Sequence, residues 1–273
     1  MSAAELFFDL PGGGHVLFTA RVHGNLSSVG GVDAEHGLQS RERLRRQVGV
    51  ERLQRGYQVH GTTVQLVRGS ARKSEQGGET EHVIGADTEP ILNLPPDSLA
   101  QPSVEADGQA TNLRGLGVLV LTADCLPVAL GTDGAVAMVH AGWRGLAGGV
   151  LEEGVRALRE LGGERELVAV IGPGAGPCCY EVGEEVHAAV GGAHRIEASP
   201  ARTPSGRTGC ALSDRVSPGR RIDLKAIARD RLLAAGVTEV RDVDACTICD
   251  ERFFSYRREG ARAGRQGGVA WLS

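Results

Sequence analysis

The sequence predicts an α+β fold. Three observations carry that expectation: strand-type apolar runs concentrated between Val118 and Ala141, helical apolar spacing from Leu146 to Leu161 and from Asp223 to Leu233, and an ordinary globular composition. With 273 residues, 41% of them hydrophobic and 23% charged, the chain can bury a substantial core and is not a disordered one. One domain over 1–273 is expected. Irregular surface excursions are expected near 69–101, rich in Gly, Glu and Pro, and near 195–221, which carries arginines without periodicity.

Taken in order, residues 6–24 (LFFDLPGGGHVLFTARVHG) predict two short strands around a glycine turn. Arg41, Arg43, Arg45 and Arg46, with Leu44 and Val48 at helical spacing, predict a solvated helix face over 40–48. Residues 57–67 return to β character and carry His60, and 106–111 lead into the central stretch. That stretch, VLVLTADCLPVALGTDGAVAMVHAGWRGL at 118–146, has two apolar runs around a Thr-Asp-Gly turn and predicts a buried hairpin. With a two-residue loop, Thr132-Asp133 or Asp133-Gly134, Cys125 and His140 project from one sheet face as opposite or diagonal neighbours. Leu146, Val150, Leu151, Val155, Leu158 and Leu161 mark one face of a helix that stops at Gly162-Gly163. Its start lies just after His140, so Arg144 and the first amides face the same neighbourhood and suit an anion.

Leu167 to Ile171 predicts a buried strand, followed by GPGAGP at 172–177 and a helix from about Tyr180 to Val190. This is neither a dinucleotide loop nor a P-loop, because GxGxxG and the GK[ST] ending are both absent. Asp223 caps a helix through Leu224, Ile227, Leu232 and Leu233 that ends at Gly236, and a strand follows towards Cys246.

The formal net charge of -4 argues against a general nucleic-acid binder. Lys73 and Lys225 are the only lysines, so 28 of the 30 basic residues are arginine, a bias that base composition explains as readily as chemistry. Residues 1–10 carry Glu5 and Asp9 and no signal-type apolar core, and no run reaches the ~18 apolar residues of a membrane span. A cytoplasmic protein with no membrane partner is therefore expected. In a reducing compartment its six cysteines read as thiols or metal ligands and not as disulfides. Cys246 and Cys249 form CxxC, but with no second CxxC they read as buried thiols.

Singly, His60 is an ordinary structural histidine and Cys125 a small buried residue. Together, His60 in Gln58-Val59-His60-Gly61, Cys125 and His140 are a candidate metal site, since zinc takes sulfur and nitrogen donors and a working site keeps a position open.

Five stretches carry a resemblance: QVHG at 58–61, ADCLPV at 123–128, HAGWRGLAGGVLE at 140–152, GPCCYEVGEEV at 176–186 and CTICDERFFSYRREG at 246–260. Together they resemble the YfiH family, also called the peptidoglycan editing factor family or the laccase-domain purine nucleoside phosphorylases. The resemblance implies a mixed sheet flanked by helices in three layers, and zinc held by His60, Cys125 and His140, with copper the alternative ion. It implies phosphorolysis of adenosine, inosine or methylthioadenosine, and deamination of adenosine. Nucleoside and phosphate are the implied small-molecule partners. Cys125, His140 and Asp124 become candidate catalytic residues with Arg21, which matches the family's Phe-Thr-x-Arg position and suits an anion. Asp107 and Thr111 match the family's ADxxxT stretch and join Arg144 as candidate substrate contacts. Three alternatives stay open: a cysteine hydrolase editing a peptidoglycan precursor with Cys125 as nucleophile and His140 as base, a copper polyphenol oxidase, and a non-catalytic small-molecule binder. Three ligands cannot build a blue-copper centre plus a trinuclear cluster, so the oxidase fits least.

Overall fold

The computed structural model describes residues 6–71, 82–84, 104–162, 166–191, 195–196 and 221–273. Most of the excursion expected near 69–101, and nearly all of the one near 195–221, lie outside these residues. The described parts are two short ribbons: β5 (Gly69–Ala71) with β6 (His82–Ile84), and β12 (Arg195–Ile196) with β13 (Arg221–Ile222).

The fold is α+β, and its mixed strand pairing is distributed over two sheets. A five-stranded sheet orders β1 (Phe7–Leu10), β2 (Gly14–Phe18), β15 (Gln266–Leu272), β8 (Leu116–Thr122) and β3 (Arg52–Gln54). A six-stranded sheet orders β14 (Glu239–Asp242), β11 (Val168–Ile171), β9 (Leu126–Thr132), β10 (Ala135–Ala141), β7 (Gly108–Thr111) and β4 (Val64–Val67). Each sheet combines antiparallel pairs with parallel ones, β3 with β8 in the first and β4 with β7 and β11 with β14 in the second.

Alternation along the six-stranded sheet explains the layering. Ala129, Val136, Met138, Val168 and Val170 pack with Val16, Phe18, Val118, Val120 and Val269 of the other sheet. Their neighbours Val128, Leu130, Ala137, Val139, Ala169 and Ile171 pack against α3 (Val150–Gly162) and α5 (Leu224–Ala234). The order is thus sheet, sheet, helices. Strands covered on both faces carry no polar alternation, which is why β9 and β10 read as continuous apolar runs.

The expected hairpin is β9–β10, closed by Asp133-Gly134, since Thr132 pairs with Ala135. One part of the expectation changes. The apolar run from Val118 to Gly131 is not one strand: β8 belongs to the five-stranded sheet and β9 to the six-stranded one, with Ala123-Asp124-Cys125 crossing between them. Asp124 takes φ 94 there, a backbone state that L residues seldom adopt.

The helix expected from Leu146 to Leu161 is also two elements. α2 (Trp143–Gly148) stops where Gly149 turns left-handed at φ 96, and α3 continues to Gly162. The helix expected from Tyr180 shortens to α4 (Glu184–Ala189). α1 (Gly37–Val48) forms as expected but is not only a solvated face, because Arg41 and Ser40 are buried beside Leu44 and Arg41 Nη1 donates to the Leu26 carbonyl. Asp223 caps α5 as expected, accepting from the amides of Lys225 and Ala226 at 3.0 Å each. The last helix, α6 (Tyr256–Glu259), is capped by Ser255. Among the described residues no helix is long and apolar enough to cross a membrane.

Candidate metal centre

His140 ends β10 on the face turned towards the other sheet, the face that Val136 and Met138 share. The register pairs His140 with Pro127, so Cys125, just before β9, is its diagonal neighbour on that face. His60 was expected on a strand, yet it sits in a loop at φ 61. Two side chains hold that loop. Gln58 donates to the Leu121 carbonyl and accepts from the Leu121 amide, both at 2.8 Å, which ties the loop to the end of β8. Asp107 accepts from the amides of Val59 (3.1 Å), His60 (3.0 Å) and Gly61 (2.7 Å).

Asp107 does more than hold the loop. Its Oδ1 also lies 2.7 Å from His140 Nδ1. With Nδ1–H donating to the carboxylate, Nε2 is the atom left to face Cys125 and His60, the pattern in which a carboxylate orients a metal-binding imidazole. The donor atoms of His60, Cys125 and His140 lie within 4.8 Å of one another, and the two imidazole centroids are 4.9 Å apart at 70°. Gly142 supplies the space: a Cβ there would stand 2.9 Å from Cys125 Sγ and 3.1 Å from His60 Cδ2. One thiol and two imidazoles around a point that a single methyl would fill fit a first-row divalent ion.

Charge is also coupled between Cys125, His140 and Asp107. Burial pushes the Cys125 thiol up, but the charge and hydrogen bond of His140, with a smaller contribution from His60, outweigh it and bring it to about 6. Burial likewise disfavours the His140 imidazolium, while Cys125 and Asp107 raise it to about 9. Asp107 is pushed up by burial and drawn down further by His140 and the Gly61 and Val59 amides, so its net direction is downward. The thiolate's contribution to stability is present above the ordinary thiol value of 9.0 and is lost as pH falls through about 6. The imidazolium's contribution is present below 6.5 and is lost as pH rises through about 9. In metal-free protein, iodoacetamide should therefore modify Cys125 with an apparent pKa near 6. A rate that climbs only towards the ordinary thiol range would contradict this pairing.

The other expected site residues are placed unevenly. Asp124 adjoins Cys125, but its carboxylate is taken: Oδ1 accepts from Thr247 Oγ1 at 2.8 Å and Oδ2 from the Arg257 amide at 2.7 Å. It braces the crossover. Arg21 pairs with Glu259, donates to the carbonyls of Glu251 and Phe253, and stacks over Phe254, so an anion would compete with those partners. Arg144 is exposed in the first turn of α2, over the Trp143 ring at 4.3 Å. Thr111 is not brought to the site. It ends β7 roughly 13 Å along the strand from Asp107, donating to the Val67 carbonyl and accepting from the Leu113 amide.

Comparison with known proteins identifies the family. The family described as multi-copper polyphenol oxidoreductase laccase matches residues 18–273. The chain belongs to that laccase-domain family. Relatives of the same YfiH type carry another label. A purine nucleoside phosphorylase of Xylella fastidiosa is 43% identical over 188 residues, 66% of this chain and 66% of that protein. Purine nucleoside phosphorylase YfiH of Escherichia coli is 38% identical over 197 residues, 70% of this chain and 72% of that one. The chain thus spans about two thirds of the length of the curated relatives it matches. Two crystal structures superpose with a TM-score of 0.70 at 27% identity. Neisseria meningitidis protein NMB0706 covers 98% of this chain and 99% of its own, and YlmD of Geobacillus stearothermophilus covers 95% and 92%.

Within this laccase-domain chain, sequence reasoning missed two residues near Cys125. The buried Tyr180 phenol is pushed up to about 12, first by burial and then by the negative charge of Cys125 and Asp124, with Arg257 opposing. The Arg257 guanidinium lies over the Tyr180 ring at 4.7 Å and is exposed. Both fall inside the GPCCYEV and FFSYRREG stretches, where the run of matched residues was the available signal.

Proposed function

We propose that this chain is a zinc-dependent purine nucleoside phosphorylase of the cytoplasm, acting as a single domain. Its substrates are adenosine, inosine or methylthioadenosine with inorganic phosphate, and it carries a side activity of adenosine deamination. The observation that supports this reading is the His60–Cys125–His140 cluster with Asp107 behind it, in a chain whose relatives are named purine nucleoside phosphorylases. His60, Cys125 and His140 would hold the ion, which supplies Lewis acidity at the position left open.

The chain's own groups do the rest. Asp107 fixes the His140 ring and presents the His60 loop through three amides. Phosphorolysis breaks the bond between ribose C1′ and the base nitrogen while positive charge develops on the sugar, so a phosphate must be held beneath C1′. Arg257, Arg144 and Arg21 are the cations assigned to that anion and to the nucleoside, with Arg257 favoured because it is exposed beside Tyr180.

Purified protein with adenosine and phosphate should release adenine and ribose 1-phosphate, and inosine without phosphate. Neither product from protein with confirmed zinc would sink the assignment. One observation favours a second reading. Cys125, His140 and Asp107 stand in the order nucleophile, base, orienter, and the thiol is drawn down to about 6. A cysteine hydrolase acting on a peptidoglycan precursor would keep its activity after chelation and lose it on alkylation of Cys125.

A further inference from the structure

A second cysteine cluster lies outside this site. Cys178 and Cys179 follow the GPGAGP loop, and Cys246 and Cys249 lie in the turn between β14 and α6. Their sulfurs are 3.5 Å apart for Cys178 and Cys179, 3.3 Å for Cys178 and Cys249, 3.5 Å for Cys179 and Cys246, and 3.2 Å for Cys179 and Cys249. All four lie within 4.8 Å of one another. A disulfide needs about 2.05 Å. Four thiolates about 2.3 Å from a zinc ion form a tetrahedron with edges of about 3.8 Å, and the observed separations approach that figure. The sequence offered CxxC without a second CxxC. The fold brings in the adjacent pair Cys178-Cys179 as the other half.

The surrounding backbone supports sulfur ligands. The Tyr180 amide donates to the Gly176 carbonyl and the Asp250 amide to the Cys246 carbonyl, closing one tight turn under each cysteine pair. Gly174 and Cys246 form a parallel bridge that joins the two turns. The Gly176 amide donates to Cys246 Sγ at 3.2 Å, a polarity that suits a thiolate. A Cβ on Gly176 would stand 2.9 Å from Cys246 Cβ and 3.4 Å from Cys178 Sγ, so glycine is what lets the turns approach. Two cations attend them. Buried Arg221 donates to the Cys178 carbonyl at 2.9 Å, and Arg258 donates to the Thr247 and Ile248 carbonyls at 2.7 and 3.0 Å.

We propose that Cys178, Cys179, Cys246 and Cys249 form a structural four-thiolate zinc site, separate from the His60 centre. Four Zn–S bonds form, the thiol protons pass to solvent, no electron moves, and the cluster keeps a net charge of -2, with Arg221 and Arg258 on the carbonyls of the cysteine turns. With four protein ligands it has no open position, so its role is to clamp. What it clamps is the crossover. The loops it joins supply the Ala175 amide to the Asp124 carbonyl at 2.7 Å and Thr247 Oγ1 to the Asp124 carboxylate, and Cys125 is the next residue. This inference stands independently of the nucleoside reading.

The test is metal counting on the full chain, wild type and Cys125→Ser, purified without chelator, with cobalt(II) replacing zinc for spectroscopy. Wild type should hold two zinc ions per chain and Cys125→Ser one. Cobalt-loaded Cys125→Ser should keep strong sulfur-to-cobalt charge transfer and the intense visible bands of a tetrahedral four-thiolate ion. A metal-free Cys125→Ser, cobalt-loaded Cys125→Ser without sulfur-to-cobalt charge transfer, or an intact mass that has lost hydrogens to disulfides would each overturn it.

Discussion

Asp107→Ala is expected to abolish metal binding at His60, Cys125 and His140 and to destabilise the protein by about 3–5 kcal/mol, the usual cost of removing one partner from a buried charged pair. Asp107 is fully buried, and its two oxygens serve four donors: the amides of Val59, His60 and Gly61, and His140 Nδ1. Alanine leaves those donors without their acceptor and frees both the imidazole and the loop. Asp107→Asn keeps the volume but turns an NH2 towards at least one amide, and should weaken metal binding about 10–100-fold, as loss of an orienting carboxylate usually does. Urea unfolding of the metal-free proteins separates the fold's share from the ion's, and metal titration measures the rest. An alanine variant that unfolds like wild type and still binds metal would refute the role given to this carboxylate.

Gly142→Ala should have a different signature. At φ -80 and ψ 171 the backbone accepts an L residue without strain. The methyl, however, would lie 2.9 Å from Cys125 Sγ and 3.1 Å from His60 Cδ2. The thiol is fixed by the crossover and the imidazole by its loop, so a few tenths of an ångström must come out of the ligand geometry. Metal affinity should fall at least about tenfold, while the overpacking costs only about 1–3 kcal/mol of stability. Equilibrium dialysis beside a thermal melt distinguishes this from general unfolding. A variant that binds metal as wild type does would show that the ligands have slack that the close approach does not allow.

The contrast between these two positions shows what was legible in the sequence. The β9–β10 turn, the Asp223 cap and the diagonal relation of Cys125 to His140 follow from local rules, and they hold. The break at Asp124 was not legible, because a strand that changes sheets keeps the same apolar character on both sides of the step. The role of Asp107 was hidden for another reason: it depends on three amides 46 to 48 residues away, and backbone donors leave no trace in residue type. Arg41 misled in the opposite direction. A charged residue at helical spacing reads as solvated until the chain supplies a carbonyl, here that of Leu26, to receive it. The Cys178-Cys179 pair became meaningful only when the parallel bridge from Gly174 to Cys246 brought distant turns together.

Exposure changes steadily across the His60 centre: His60 is open to solvent, Cys125 half-covered and His140 enclosed. An incoming ion therefore has a front and a back. His60 is the donor that solvent reaches without disturbing the sheets, and its loop is already held in place by Gln58 and Asp107. An ion held by the three donors would then enter from the His60 side after the sheets have formed, with no need to open them.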